Sequence, residues 1–313
     1  MKPDISIIVA TYNRAHLIEK ALRSVQQQTF QKWQCLIIDD GSTDNTLELV
    51  VNLKANDNRF SYYARPEYKK KGPSSCRNYG MELAKGKYIQ FFDDDDFMYP
   101  ELLEHKIEAI KKNNVDVVVS PHQLYNVEQR KETKINKIYS ENLIEDYITG
   151  RLTWYCSGPM WNTKFLKERF DEEIQTLEDW DFNLRCIYNK PRVHYLHKPL
   201  QRYNRYRKGE TLSTKAQLGD ERQIISGFKA YKKHFLLLEQ KGILTKEVRY
   251  WLINRFIFLL RAAVSSKYKV SKEIYLFLKI RFYPNEFIKY RSMFLAYYAF
   301  KYFKTGYRLF KIK

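Results

Sequence analysis

The sequence predicts an α/β protein, with a mostly parallel, doubly wound sheet, flanking helices and a helical C-terminal extension that is basic and rich in aromatic residues. Over the first 120 residues, short apolar runs alternate with segments in which apolar residues recur at helical spacing. This alternation is typical of a parallel sheet covered by helices. Beyond residue 218 the strand-like runs stop and only helical periodicity remains.

The individual elements follow from spacing and composition. The run at 5–10 is rich in β-branched residues, which favours a buried strand. The predicted strands are 5–10, 33–38, 60–64, 88–92 and 115–119, and the predicted helices are 16–28, 47–53, 74–84, 101–112, 220–240, 246–264, 271–282 and 287–313. The middle of the chain, 121–170, is less regular. Within it, aromatic residues stand beside Gly and Pro at 150–160, which suits a loop that lines a pocket.

The composition indicates a folded protein of a reducing compartment. Of the 313 residues, 44% are hydrophobic, enough for a substantial core in one large domain or in one domain with an appendage. The four cysteines are far apart and lack the spacing of a zinc site or a disulfide framework. The apolar run at 5–10 is too short for a signal peptide, and no run approaches the ~20 apolar residues of a membrane span. We therefore expect a cytoplasmic location.

The positive charge is concentrated near the C-terminus. The net charge is +19, and residues 246–313 contain 16 Lys and Arg, three Glu and 19 aromatic residues. On a helical projection, one face of the last predicted helix presents Lys301, Lys304, Arg308 and Lys311. A basic amphipathic helix of this kind can lie on an anionic membrane, so we expect peripheral association with the inner face of the cell membrane. An ordinary helical subdomain is the alternative.

The most informative stretch is an acidic strand end. The predicted strand 88–92 runs directly into four consecutive aspartates, Asp93, Asp94, Asp95 and Asp96. Four adjacent carboxylates repel one another, and a divalent cation such as Mn²⁺ or Mg²⁺ would neutralise them together with the phosphates of a substrate. Ligands of open α/β sheets bind beyond the carboxyl ends of the strands. A solvated acidic turn is the alternative.

Other polar groups follow predicted strands or begin predicted helices. The segment 11–14 follows the first strand, and 39–44 closes the second. Arg77 is placed in the first turn of the helix 74–84, where free amides and the helix dipole favour an anion. The pair Glu178-Asp179 precedes a helical segment, where carboxylates are also ordinary dipole partners and caps.

In this order and spacing, the motifs resemble those of the family 2 glycosyltransferases, which have the GT-A fold. The resemblance covers about residues 3–215. It rests on the opening strand and loop at 7–14, the loop at 37–44, the acidic run at 91–96, which is similar to the DxD metal site, and the pair at 178–179, which is similar to the ED motif. The segment 75–80 is a weaker fifth match. Asp94 departs from the family pattern, because the middle position of DxD is often small or neutral.

The resemblance implies a role for each matching residue. The residues that bind the nucleotide-sugar donor would be Thr11, Tyr12, Asp40, Arg77, Asp93 and Asp94. The metal would be held by Asp95 and Asp93, and Asp179 would be the catalytic base that deprotonates the acceptor hydroxyl.

The resemblance also implies a domain organisation and a function. Residues 1–217 would be the catalytic domain, with a nucleotide-binding half at 1–120 and an acceptor half at 121–217, and residues 218–313 would be the helical, membrane-associating region. The reaction would be an inverting, metal-dependent transfer of a sugar from a nucleotide-diphospho-sugar, with UDP as the expected nucleotide. The acceptor would be a glycan or a lipid-linked glycan of a bacterial surface polysaccharide.

Three other classes of protein share some of these features. A sugar-phosphate nucleotidyltransferase would place a Gly-rich loop after the first strand, but the loop at 11–14 contains no glycine. A phosphatase with an aspartyl nucleophile would place its acidic motif after the first strand rather than after the fourth. A non-enzymatic binder of nucleic acid or of anionic membranes would explain the basic tail, but no nucleic-acid-binding motif is present. We therefore expect no nucleic-acid partner.

Overall fold

The computed structural model describes residues 2–206, 220–281, 295, 297–299 and 302. By its internal contacts, the chain divides into two units. The first comprises Met1–Glu172 and Glu178–Glu210, and the second comprises Glu173–Leu177 and Thr211–Lys313. The catalytic-domain boundary predicted at residue 217 lies outside the described residues.

The described part of the first unit contains two sheets and six α-helices. In chain order, its strands are β1 (Ile5–Thr11), β2 (Trp33–Asp39), β3 (Phe60–Ala64), β4 (Tyr88–Asp93), β5 (Phe97–Met98), β6 (Val117–Val119), β7 (His122–Asn126), β8 (Lys131–Ile135), β9 (Pro159–Asn162), β10 (Val193–Tyr195) and β11 (Gln201–Arg205). Its helices are α1 (Ala15–Gln26), α2 (Thr46–Asn56), α3 (Pro73–Leu83), α4 (Leu102–Asn113), α5 (Leu143–Thr149) and α6 (Glu178–Tyr188).

The larger sheet has seven strands in the order β10-β6-β9-β4-β1-β2-β3. Strand β1 lies between β2 and β4 and is parallel to both, whereas β9 runs antiparallel to its two neighbours. In this register Ala10 pairs with Asp93, and Thr11 pairs with Asp39. The carboxyl ends of three neighbouring parallel strands therefore meet at one edge of the sheet, where such sheets bind ligands.

The central strand is held by close packing on α3. Ile5, Ile7 and Val9 on β1 are fully buried in the core. Gly80 of α3 packs against the neighbouring Ile8, and a Cβ at Gly80 would lie only 2.4 Å from the Ile8 Cγ2. Because real Cβ atoms do not approach so closely, a larger residue at this position would push the helix away from the sheet.

The smaller sheet has the order β5-β11-β7-β8 and begins next to the acidic run. Strand β5 starts at Phe97, directly after the four aspartates. Strand β11 pairs antiparallel with it, with Arg202 opposite Phe97 and Gln201 opposite Met98. The residues of β11 that follow Arg202 are thereby brought alongside the acidic run.

The predicted fold class is confirmed, although several strands were not predicted. The structure has a mainly parallel central sheet with flanking helices, followed by a helical region. The predicted loop 150–160 ends in β9, and strand β11 was not predicted. Strands β7, β8 and β10 were also missed. In β8 every residue is exposed, so this strand carries no apolar run or alternation for sequence analysis to detect.

The second unit is helical in its described part. Its helices are α7 (Glu221–Gln240), α8 (Lys246–Ser265) and α9 (Val270–Arg281). Asp220 and Thr245 cap α7 and α8 by accepting hydrogen bonds from the backbone amides of Arg222 and Val248. The helices pack through buried aromatic side chains, and one cluster consists of Phe228, Phe235, Phe256 and Phe277.

Little of the predicted helix 287–313 is described. Residues 295, 297–299 and 302 are helical, whereas the four cations predicted on its basic face lie outside the described residues. Within the described part of the chain, no helix combines the length and the apolar character that a membrane crossing requires.

Candidate active site

The four consecutive aspartates are not equivalent in the folded protein. The side chains of Asp93 and Asp95 are 25% and 18% exposed, whereas Asp94 and Asp96 are buried. The hydroxyl of Thr11 donates a hydrogen bond to Asp94 Oδ2 at 2.6 Å. Asp94 therefore faces β1. It binds the Thr11 hydroxyl, which the sequence-based prediction assigned to binding of the sugar donor.

Asp96 and the backbone around it are held by the end of β11. The backbone amide of Asn204 donates to Asp96 Oδ1 at 3.0 Å, and the Asn204 side-chain amide donates to the carbonyl of Asp95 at 2.6 Å. The hydroxyl of Tyr206 donates to the same carbonyl at 3.3 Å. With Asp94 and Asp96 anchored by protein groups, Asp93 and Asp95 are the two carboxylates that face solvent.

The carboxyl groups of the acidic run have raised pKa values. Burial, followed by the charges of Asp94 and Asp93, raises the pKa of Asp95 to about 7. Burial also raises the pKa of Asp94 to about 6 and places that of Asp96 well above its usual range. Arg14 lies beside Asp95, with 4.0 Å between Nη1 and Oδ2.

These residues fit a divalent cation that is shared with a substrate. Asp96 Oδ2 is buried and has no hydrogen-bond partner among the residues that the structure describes, and the charges of Asp94 and Asp93 add to burial in raising the pKa of Asp95. Among the described residues, no group of three or more His, Cys, Asp or Glu side chains could hold a metal by itself. A hard cation held by one or two carboxylates plus substrate phosphates needs no such cage.

Arg77 joins the acidic run to the start of α6. Its Nη2 donates to Asp93 Oδ1 at 3.0 Å, and its Nη1 lies 3.5 Å from Glu178 Oε1. The side chain is buried and rests over the ring of Phe170, with 5.3 Å between Arg77 Cζ and the ring centroid. The two motifs at 93–96 and 178–179 are distant in sequence, and this guanidinium places them in one site.

The next residue of α3 has a different role. The amide of Asn78 donates to the carbonyl of Phe170 and accepts from its backbone N–H, at 2.9 Å and 2.8 Å. The first turn of α3 was predicted to favour an anion, with Arg77 helping to bind the donor. In the structure the Arg77 guanidinium contacts the carboxylates of Asp93 and Glu178.

Asp179 lies half-buried in the first turn of α6. Burial is the largest effect on its carboxyl group, and with the neighbouring Glu178 it raises the pKa of Asp179 to about 7, against the opposing charge of Arg77. Its Oδ1 accepts a hydrogen bond from the backbone amide of Trp180 at 2.7 Å. A carboxylate with a pKa near neutrality can accept a proton and later release it, which suits general base chemistry.

The two loops after β1 and β2 are joined to each other. The backbone amide of Asp40 donates to the carbonyl of Thr11 at 2.9 Å. The carboxylate of Asp40 is buried and accepts a hydrogen bond from Arg65 Nε. Tyr12 is 43% exposed, and Lys71 Nζ lies 4.1 Å from its ring centroid. The predicted nucleotide-contacting residues therefore lie together at the ends of two neighbouring strands.

Sequence analysis missed Arg14, Arg65 and Asn204 as residues of this region. Arg14 was visible within the segment 11–14, and a cation beside a strand end that faces four aspartates could have indicated its pairing. Arg65 and Asn204 are brought near by the β2–β3 and β5–β11 strand pairs. Non-local strand register cannot be read from one sequence.

Comparison with known proteins agrees with this geometry. A family profile described as "Glycosyl transferase family 2" matches residues 6–174, which is more than half of the chain. The chain belongs to glycosyl transferase family 2. This glycosyltransferase is 28% identical over 255 residues to GalNAc(5)-diNAcBac-PP-undecaprenol beta-1,3-glucosyltransferase of Campylobacter jejuni, and the match covers 79% of this chain and 76% of that protein.

Solved structures show the same fold. The complex of S. aureus TarS 1-349 with UDP-GlcNAc superposes with a TM-score of 0.63 at 21% identity, over 96% of this chain and 93% of that chain. The mannosyltransferase PcManGT from Pyrobaculum calidifontis, in complex with GDP-Man and Mn²⁺, gives a TM-score of 0.52 at 15% identity, over 85% of this chain and 88% of that chain.

The predicted family, GT-A fold and enzyme class are therefore confirmed. The protein is a nucleotide-sugar-dependent glycosyltransferase, and family membership favours this reading over the nucleotidyltransferase, phosphatase and binding-protein alternatives. The matched segment ends at residue 174, before Asp179, so the role of this carboxylate rests on the geometry described above.

Proposed function

We propose that the protein transfers a sugar from a UDP-sugar to a hydroxyl of a lipid-linked glycan, with inversion at the anomeric carbon. One observation carries the proposal. Arg77 contacts both Asp93 at the end of β4 and Glu178 beside Asp179. The carboxylates that face the leaving group and the carboxylate that serves as the base thus belong to a single site.

The donor binds across the ends of β1, β2 and β4. Tyr12 and Asp40 contact the base and ribose, with Thr11 and Asp94 forming the floor beneath them. UDP is favoured because the neighbour TarS has been solved with UDP-GlcNAc. The sugar points towards Arg77, the cation that both aspartate-containing motifs share.

Asp93 and Asp95 are the carboxylates that would hold a Mn²⁺ or Mg²⁺ ion beside the diphosphate. Such a cation, when bound, supplies positive charge that stabilises the departing nucleoside diphosphate. Support comes from the crowding of Asp93, Asp94 and Asp95, whose charges help to raise the pKa of Asp95, and from the Mn²⁺ complex of the neighbour PcManGT. In this proposal Asp94 and Asp96 anchor the loop through their contacts with Thr11 and Asn204.

Asp179 takes the proton of the acceptor hydroxyl as its oxygen attacks the anomeric carbon. A single displacement on the face opposite the leaving group inverts the configuration. Glu178 and Arg77 adjust the basicity of Asp179, since Glu178 raises and Arg77 lowers its pKa. Retention would require a second nucleophilic step.

The acceptor is a glycan carried on a diphospho-lipid at the inner face of the membrane. The relative from Campylobacter jejuni is named for an undecaprenyl-diphosphate-linked acceptor, and the 16 cationic and 19 aromatic residues of 246–313 suit an anionic membrane surface. We propose peripheral association, with residues 218–313 forming the contact and residues 1–217 the catalytic domain.

Thermal unfolding with UDP, GDP, CDP and dTDP, each with and without Mn²⁺, tests the donor half of this proposal. A ligand at 100 times its dissociation constant stabilises the folded protein by about 2.7 kcal/mol. We expect UDP to raise the melting temperature in the presence of Mn²⁺ and to have little effect without it. Asp95→Ala should abolish the shift, whereas Glu108→Ala, which removes an exposed carboxylate of α4, should preserve it.

Either of two outcomes would refute this assignment. One is equal stabilisation by UDP with and without Mn²⁺. The other is an undiminished shift in Asp95→Ala.

A further inference from the structure

Two tyrosines outside the predicted motifs form a stacked pair beside the active site. The ring centroids of Tyr155 and Tyr203 lie 4.4 Å apart, and the ring planes differ by 14°. Both side chains are partly exposed. Neither hydroxyl makes a hydrogen bond to the part of the chain that the structure describes. The pair thus presents apolar ring surface and two hydroxyl groups that form no hydrogen bond with the described residues.

Tyr203 is fixed on the side of the acidic run. It precedes Asn204, whose backbone amide binds the carboxylate of Asp96 at 3.0 Å. In the antiparallel pairing of β5 with β11, Arg202 lies opposite Phe97. Tyr203 therefore comes alongside the last of the four aspartates. Burial raises the pKa of Tyr203, and the charges of Asp96 and Asp93 raise it further.

Tyr155 is fixed on the side of the catalytic base. The carbonyl of its neighbour Trp154 accepts hydrogen bonds from Asn183 Nδ2 on α6, at 3.1 Å, and from the hydroxyl of Tyr147, at 3.2 Å. Helix α6 is the one that begins with Glu178 and Asp179. Burial raises the pKa of Tyr155, Arg205 opposes this effect, and the charge of Asp179 adds to it.

The loop that carries Tyr155 is held from beneath by a buried polar network. Lys106 Nζ donates to Gln90 Oε1 and to the carbonyl of Gly158, each at 2.8 Å. The hydroxyl of Ser157 lies 2.8 Å from His122 Nε2, and the His122 ring packs edge-on against Tyr155, with 5.0 Å between centroids. Such a network restricts the loop, so Tyr155 is presented in a defined position.

We propose that Tyr155 and Tyr203 form the subsite that holds the acceptor sugar. The proposal rests on the function proposed above. The acceptor hydroxyl must lie between the leaving nucleoside diphosphate and the base Asp179. The tyrosine pair extends from the acidic run towards α6 and therefore borders this space. A pyranose has an apolar C–H face, which packs on aromatic rings. Its hydroxyl groups form hydrogen bonds with polar side-chain groups. Tyrosine offers both, with little conformational entropy to lose.

The test separates acceptor binding from donor chemistry. Steady-state transfer is measured with the UDP-sugar that the wild type uses, and with N-acetylhexosamine-diphosphate lipids as the acceptor probes. Hydrolysis of the same donor without acceptor is measured alongside it. In Tyr203→Ala and in Tyr155→Ala, we expect the acceptor KM to rise by about tenfold or more, while the donor KM and the hydrolysis rate stay within about twofold.

Two further variants serve as matched comparisons. Tyr203→Phe keeps the ring and removes the hydroxyl, so it should raise the acceptor KM less than Tyr203→Ala does. Tyr139→Ala removes a tyrosine from the edge-on pair with Tyr195, whose centroids are 5.2 Å apart. This variant should match the wild type in all three measurements. The UDP–Mn²⁺ melting shift reports whether each variant is folded around an intact donor site.

The outcomes distinguish this inference from the proposed function. An unchanged acceptor KM in both alanine variants overturns the inference alone, as does a rise in the donor KM that matches the rise in the acceptor KM. A wild-type protein that neither hydrolyses a UDP-sugar nor transfers from one overturns the proposed function, and the acceptor subsite with it.

Discussion

Arg77 and Asp179 illustrate how single residues adjust the chemistry of this site. Burial and Glu178 raise the pKa of Asp179 to about 7, and the guanidinium of Arg77 pulls it down. A carboxylate in dry surroundings without that cation would stay protonated over a wider pH range and would be a poorer acceptor of protons at neutrality. Arg77 thereby links the charge of the acidic run to the protonation state of Asp179.

The pH dependence of transfer should report the ionisation of Asp179. Because the base must be ionised to accept a proton, kcat/KM should rise with pH through about 7. In Arg77→Gln this rise should move to higher pH, since removal of the cation raises the Asp179 pKa. Arg192→Gln, which breaks an ion pair with Asp116 on the surface, is the control and should leave the profile in place.

A profile that is flat between about pH 5.5 and 8.5 would argue against Asp179 as the base. So would a profile that Arg77→Gln leaves unmoved.

The elements differ in how far sequence analysis could predict them. Strands β1, β2 and β4 are mostly apolar and almost entirely buried, and these runs were recognised. Strands β8 and β11 have exposed or mixed faces, and their pairing depends on contacts far along the chain. The same difference explains which residues of the site were predicted from the sequence. The motifs at strand ends were predicted, and so was a pocket-lining loop at 150–160, which carries Tyr155. The positions of Asn204 and Tyr203 depend on the β11 register, which no local pattern reveals.

Close packing of α3 on β1 gives a test at the level of elements. Gly80→Ala should destabilise the protein by about 1–3 kcal/mol, since the new Cβ would overlap Ile8. Gly227→Ala is the matched control. Gly227 also lies inside a helix, but its nearest neighbours would be 3.6 Å from a Cβ, so the change should be neutral or stabilising. Urea unfolding of both variants measures the difference.

Equal stability of Gly80→Ala and the wild type would mean that the α3–β1 contact adjusts at no cost. The structural reason given for glycine at this position would then be wrong.

At the scale of the whole molecule, the positive charge is distributed unevenly along the chain. The chain carries a net charge of +19, and most of the excess lies in residues 246–313. Anionic lipid attracts each nearby Lys or Arg by about 1 kcal/mol, so a cluster of cations is worth more than scattered ones. The proposed surface would thereby bring the enzyme to a lipid-linked acceptor.

Liposome binding checks this arrangement with the full chain. Glutamine in place of Lys301, Lys304, Arg308 and Lys311 should weaken binding to anionic liposomes by about tenfold or more at 0.1 M salt. The same substitution of the exposed Lys20, Lys54, Lys131 and Lys134 of the first unit removes equal charge and should weaken binding much less. Equal losses in the two variants would show that the total charge, rather than the C-terminal region, controls attachment.

The central claim is a single displacement in which Asp179 is the base. The anomeric configuration of the product, read by NMR coupling constants, tests it most directly when wild type and Asp179→Asn are compared. From an α-linked UDP-sugar we predict a β-linked product, and we expect kcat in Asp179→Asn to fall by about 10²–10⁴-fold with the UDP–Mn²⁺ melting shift retained. An α-linked product, or transfer by Asp179→Asn at the wild-type rate, would contradict the mechanism.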